Sequence, residues 1–236
     1  GSLSMWGLHD DTNREERLST GITQQVPKTW RGYLDFADQL KLGNDWQLNS
    51  QISWISDSTF MSSWRQTDFD NRREYETSLY LKRDRGNSSL SVLMDYSLNS
   101  FVSNSWLLAS QGFMLDEFPK ATYRRFGDDI FDTLTYSGDI SFSRFKAIIP
   151  GGTAAENGIN TNVFAGPGVA FGPADDIAFA LAQRGIDNEW HTRVNSMNHV
   201  TMPLAYGPVQ ITPFASAQLQ GFLQEESAAT EGENLR

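Results

Sequence analysis

The chain contains no cysteine. Disulfide frameworks, thiolate zinc sites and cysteine nucleophiles are therefore excluded together, and the redox compartment stays open. It also lacks any run of about 18 apolar residues, so no transmembrane helix is predicted. The longest aliphatic patch, WLLA at 106–109, is far too short. No basic segment followed by an apolar core opens the chain, which begins GSLSMWGLHDD. That reads as the inside of a longer precursor rather than as a signal peptide. Basic charge is scarce as well: the formal net charge is −10. Without a basic stripe to release counterions, a general nucleic-acid binder is not expected. A membrane protein remains possible, because charge can sit in loops and on a wet inner surface. No GxSxG, HExxH, P-loop or GxGxxG motif occurs. The three histidines, His9, His191 and His199, suggest no metal site. The last two share a parity in one predicted strand but lie about 26 Å apart along it.

What the sequence has is a period of two, throughout, in a chain of 236 residues that can bury a sizeable core. In RGYLDFADQLKL, Leu34, Phe36, Leu40 and Leu42 alternate with Arg31, Asp35, Gln39 and Lys41. GND at 43–45 supplies turn chemistry, and WQLNSQISWISD follows, with Trp46, Leu48, Ile52 and Trp54 against Gln47, Asn49, Gln51 and Ser53. Setting Leu42 opposite Trp46 places Leu40 by Leu48, Phe36 by Ile52 and Leu34 by Trp54, so both apolar faces coincide in one hairpin. Only Asp38 opposite Ser50 interrupts that face.

The pattern recurs. Tyr75, Thr77, Leu79 and Leu81 alternate with Glu76, Ser78 and Lys82; Leu90, Val92, Met94, Tyr96 and Leu98 alternate with Ser89, Ser91, Asp95 and Ser97. FPKATYRRF predicts a further strand, GDD at 127–129 a turn, and TLTYSGDISFSRFKA the next strand. EWHTRVNSMNHVTMPLA and VQITPFASAQLQGF flank a turn at YGP. Turns fall at about 43–45, 83–88, 127–132 and 205–208; long polar loops fall at about 10–30, 57–74, 99–116 and 148–188. PADDIAFALAQRG predicts a short helix inside the last loop. The expectation is one all-β domain over residues 1–236, an antiparallel up-and-down meander of nine or ten strands. Short connections alternating with long ones are what a transmembrane barrel shows, and the chain is read as part of one.

The two faces then acquire roles. Leu34, Phe36, Trp46, Leu48, Ile52, Trp54, Leu79, Leu81, Val92 and Met94 are candidates to face lipid or its interfaces. Arg31, Asp35, Lys41, Gln47, Asn49, Gln51, Glu76, Lys82 and Asp95 are candidates to line a lumen. Trp46 and Trp54 lie roughly 27 Å apart along an extended strand, or about 20 Å along the normal at a tilt of about 40°. That is somewhat less than the roughly 25 Å apolar band between aromatic girdles. Indole suits such an interface, its ring apolar and its N–H in need of a wet partner. A soluble sheet with one face on a core yields the same alternation. The aspartates of GDDIFD (Asp128, Asp129, Asp132) and of ADD (Asp175, Asp176) lack the ligand order of a calcium loop and read as turn chemistry.

RGYLDFADQLKLGNDWQLNSQISWISDSTFMSSW resembles the barrel region of the lipopolysaccharide-assembly outer-membrane protein family LptD, also called organic solvent tolerance protein. The likeness lies in Asp45-Trp46, Ser56-Asp57 and Phe60. YETSLYLKRDRGN beside a Ser-rich strand is similar to the family's next hairpin. Pro203-Leu204, Gly207-Pro208 and Ile211-Thr212-Pro213 are similar to a later strand pair. In pieces, the resemblance covers about residues 30–220. It implies a non-enzymatic conduit in the bacterial outer membrane, without cofactor or metal, that passes lipopolysaccharide to the outer leaflet. Its implied partners are membrane lipid, lipopolysaccharide, a plug lipoprotein and a periplasmic bridge protein. The family's N-terminal jelly-roll domain and interdomain cysteines are missing here, and about nine strands are too few for its barrel. The resemblance thus implies an internal part of a barrel or a reduced relative, without both gate strands. A small outer-membrane barrel enzyme of protease or lipase type and a soluble β-sandwich binding module are the alternatives.

Overall fold

A computed structural model describes residues 1–12, 15–17, 23–26, 29–71, 75–99, 113–149, 151–154 and 171–224. Its main strands are β1 (Ser2–Asp10), β4 (Thr29–Lys41), β5 (Trp46–Ile55), β6 (Thr77–Arg85), β7 (Ser88–Tyr96), β8 (Met114–Ile130), β9 (Leu134–Ile148), β10 (Trp190–Thr201) and β13 (Phe214–Gln224). They form one nine-stranded sheet in the order β1-β4-β5-β6-β7-β8-β9-β10-β13. Every neighbouring pair is antiparallel. Two short hairpins stand outside it: β2 (Glu15–Arg17) with β3 (Thr23–Gln25), and β11 (Leu204–Tyr206) with β12 (Val209–Ile211). The all-β meander read from the sequence is present. The sheet is open: β1 and β13 are its two edges, and they do not pair with each other among the described residues.

The hydrophobic alternation fixes register, because a slip of one residue would turn every side chain to the wrong face. Leu34 lies opposite Trp54, Phe36 opposite Ile52, Asp38 opposite Ser50 and Leu40 opposite Leu48. This is the pairing read from the sequence. Asn44 and Asp45 take φ of 59° and 67°, the left-handed pair that lets a two-residue turn follow the strand twist. Asn and Asp tolerate that region better than other residues with a Cβ.

Three sequence expectations shift. The turn expected at Gly127-Asp128-Asp129 lies instead at 131–133, and β8 runs on through that stretch. Gly127 at φ 63° absorbs a register shift between Arg125 and Asp128, and Arg125 ties down Asp128 at 2.6 Å. Asp128 and Asp129 thus follow a bulge within the strand, whereas Asp132, at φ 53°, sits in the turn as expected. Second, the strands flanking Tyr206-Gly207-Pro208 are shorter than expected. Proline has no N–H for the ladder, so β10 stops at Thr201 before Pro203 and β13 starts after Pro213. Third, the loop at 57–74 is not merely polar. It carries α1 (Phe60–Trp64) and α2 (Gln66–Asp70), which bring Phe60, Met61 and Phe69 into a small core with Tyr33, Ile55 and Tyr75.

The short helix expected after Pro173 is present as α3 (Ile177–Ala182), capped by the Asp176 side chain, which accepts from the Ala178 amide at 2.7 Å. Its Ile177, Ala180 and Leu181 close a second small core with Ala154. All four long connections leave from one end of the sheet, and the short ones from the other. The turns at 43–45, 86–87 and 131–133 share the short end with the β11–β12 hairpin. The loop expected at 99–116 and the middle of that at 148–188 fall largely outside the described residues, as do Arg72, Arg73 and Glu74.

Candidate functional site

Directly opposed residues share a face, so register assigns each side chain to one of two surfaces. One surface is largely apolar, interrupted by Asp38 opposite Ser50 and, on β10, by Ser196 between Ile140 and Leu219 and by Asn198. Leu3 and Met5 lie opposite Phe36 and Leu34; Ile52 and Trp54 follow on β5. Leu48 meets Leu81, Leu81 meets Val92, and Leu79 meets Met94. Across the bulges, Ala121 lies opposite Phe142, Tyr123 opposite Ile140 and Phe142 opposite Val194. All ten residues read as lipid-facing or girdle candidates lie on this surface. It is open: Ile52 is 44 %, Ile140 50 % and Leu219 71 % exposed. No second sheet packs on it among the described residues.

Aromatic side chains border this surface at both ends. Trp30, Trp54, Tyr96 and Trp190 sit at the long-loop ends of β4, β5, β7 and β10, while Trp46 and Tyr136 sit at the short-turn end. Each row has a cation stacked on it: Arg144 lies over Trp190 at 5.1 Å and Arg83 over Trp46 at 5.5 Å. These pairs put a charged head beside an indole where an apolar band gives way to water. Tyr136 lies across Gly138, where a Cβ would collide with its hydroxyl, and donates to Asn198 at 2.7 Å.

The opposite surface is mostly polar through the middle of the sheet, with Tyr80 and Leu93 set in the row between Asn49 and Lys120. Lys41, Gln47 and Lys82 form one row, and Gln51, Ser78 and Asp95 another. Asn49 and Asp35 lie on the same surface. Hydrogen bonds run along it: Ser53 donates to Asp35 at 2.7 Å, Gln51 to Ser53 at 3.3 Å, and Gln47 to Asn49 at 3.0 Å. Lys82 pairs with Asp84 at 2.8 Å, and Lys120 with Glu117 at 2.9 Å. Glu76 lies just before β6 and is exposed. His191 and His199 are also on this side, hydrogen-bonded to Asp187 and Ser216, each at 2.7 Å.

Arg31 departs from its expected place. It shares the parity of the polar surface yet is 2 % exposed, because α1 closes over it. Its guanidinium grips Asp57 through two bonds, Nε at 3.0 Å and Nη2 at 2.9 Å, and donates from Nη1 to Asp10 at 2.8 Å. The Thr59 hydroxyl accepts from Arg31 at 2.9 Å and donates to Asp57 at 2.8 Å, so it is not used to cap α1. Burial alone would raise the Asp57 pKa. The Arg31 guanidinium, with the Ser56 and Thr59 hydroxyls, outweighs burial and holds that carboxyl below its usual range. The cluster thus staples β1, β4 and the loop after β5 as a buried, hydrogen-bonded ion group. Asp35 is likewise buried, at 9 % exposure. Neither it nor Arg31 is open to water as a lumen lining would be.

Nothing local in the sequence signals this clamp, whose members are 21 and 26 positions apart. Among the described residues no three histidine, aspartate or glutamate side chains are grouped to hold a metal ion. No helix there is long and apolar enough to cross a membrane, which says nothing of strands. What the site offers is a pair of unlike surfaces rather than a converging set of reactive groups. No family model matches the chain, and neither a curated protein nor a solved structure matches it.

Proposed function

We propose that this chain is a segment of an outer-membrane β-barrel that serves as a passive conduit for lipopolysaccharide on its way to the outer leaflet. The observation that carries the membrane part is the open apolar surface of the nine-stranded sheet, edged by aromatic rows, with all long loops at one end. In water such a surface is an aggregation hazard; against hydrocarbon it is the stable arrangement. A soluble sandwich needs a second layer on that surface. A barrel enzyme needs a reactive cluster at the long-loop rim; among the described residues the ionic group there joins Arg31 and Asp10, both buried, to a half-buried Asp57 and serves to hold β1, β4 and the loop after β5 together. The choice of lipopolysaccharide as cargo, with a plug lipoprotein and a periplasmic bridge as partners, rests on the resemblance of residues 31–64, 75–87 and 192–219.

Photo-crosslinking in whole cells tests both parts. A photoreactive residue at Gln51 is expected to capture lipopolysaccharide, and one at Ile52 bulk phospholipid or outer-leaflet lipid. Capture of soluble proteins at Ile52 would remove the membrane reading. Lipid at Ile52 without lipopolysaccharide at Gln51 would remove the cargo alone.

A further inference from the structure

The apolar surface is not uniformly filled. Gly7 and Gly32 lie directly opposite each other in β1 and β4, and both belong to the apolar parity. Above them opens a groove of about 560 Å³, walled by Met5 and Leu34 and flanked by Trp30 and Trp54. The two glycines have different reasons to be bare. A Cβ on Gly32 would stand 2.6 Å from the Trp6 carbonyl oxygen, so the backbone forbids one there. A Cβ on Gly7 would meet only the Arg31 carbonyl oxygen, at 3.3 Å, a closer approach than an ordinary van der Waals contact but a looser one than at Gly32. With both side chains absent, the floor of the groove is bare backbone.

We propose that this groove holds one acyl chain of a bilayer lipid, an inference that rests on the membrane reading above. The occupant follows from what the lining can satisfy. Its walls carry no charged side chain, since the Arg31 guanidinium is turned to the other surface and committed to Asp10 and Asp57. The main-chain groups at its floor belong to the paired β1–β4 ladder, so they have nothing to offer a peptide's amides. A sugar or nucleotide would find no charged or hydroxyl side chain in the walls for its hydroxyl or phosphate groups. A hydrocarbon chain makes no such demand, and the volume lies within the range of small-molecule sites, about 300–1,000 Å³. Leu3, Phe36 and Ile52 adjoin the groove on the same surface, and Trp30 and Trp54 flank it. An indole on either side suits the depth where acyl chains join their headgroups.

Native mass spectrometry of the full chain in detergent, with dipalmitoyl phosphatidylcholine as probe, tests the proposal. The unmodified chain is expected to retain one lipid at collision energies that strip the detergent. Gly7→Val and, independently, Leu34→Trp fill the groove from floor and wall and are expected to lose that adduct. Circular dichroism and heat-modifiable gel migration establish that each variant is folded, and Leu34→Trp decides if Gly7→Val does not fold. Folding that requires detergent, combined with an equal or absent adduct in all three chains, overturns the groove and leaves the membrane reading standing. Folding in plain buffer without retained lipid overturns both.

Discussion

The β4–β5 hairpin treats one parity in two ways. Near the turn, Lys41 is exposed and Gln47 and Asn49 are half-buried; toward the long loop, Arg31, Tyr33 and Ile55 on the same parity are almost fully buried. Parity decides which surface a side chain joins. What covers that surface decides whether water reaches it. At the turn end only residues 42–45 connect β4 to β5, too few to cover anything. At the other end the loop after β5 folds α1 back over the sheet, and Trp6 packs on Phe60 at 5.8 Å and on Trp64 at 5.4 Å.

The largest effect is expected where the covering is deepest. Arg31→Ala leaves the buried Asp10 and the half-buried Asp57 without their cation, a loss of about 3–5 kcal/mol. Urea titration in detergent micelles measures it. An effect under about 1 kcal/mol would mean that α1 does not seal the clamp. Next comes the apolar parity at mid-strand. Ile52→Arg brings a guanidinium into hydrocarbon at a cost of about 2–4 kcal/mol, whereas its neighbour Gln51→Arg, on the polar surface, should cost far less. Equal penalties in bilayer refolding would contradict the assignment of the two surfaces.

A smaller effect follows from pH. The folded Asp57 pKa lies below its ordinary value of 3.8, so its ionised form stabilises the fold above that value. That contribution is lost as pH falls below about 3.8 and through the folded pKa. Asp57→Asn should therefore flatten the acid limb of the stability profile relative to the unmodified chain. An unchanged acid limb would show that Asp57 titrates alike in both states. The smallest effect is expected at Gln47, which is half-buried near the turn: Gln47→Ala should change stability by no more than about 0.5 kcal/mol.

What was legible in the sequence divides along the same lines. Alternation from Leu34 to Trp54 contains both the surface assignment and the register, since only one pairing keeps the apolar residues together. Asn44-Asp45 and Gly86-Asn87 are readable because turn chemistry is local. The Arg31 clamp was not readable: its partners come from β1 and from the loop after β5, and no spacing rule links them. Gly127-Asp128-Asp129 misled because glycine with aspartates serves a bulge as well as a turn. Only the partner strand, with Asp128 opposite Tyr136, tells the two apart. The helices at 60–70 were hidden for a related reason. Each has five residues, too short to show a helical period, and packing against Tyr33 and Ile55 holds their apolar side chains.

The measurement that bears most directly on the membrane reading is the dependence of folding on an amphiphile. The unmodified chain, diluted from denaturant, should acquire β-sheet circular dichroism and heat-modifiable migration in detergent micelles or vesicles, and should aggregate in plain buffer. A cooperative, monomeric fold in buffer without detergent would show that the surface of Leu34, Ile52, Leu79 and Val92 does not need lipid, and would contradict the account.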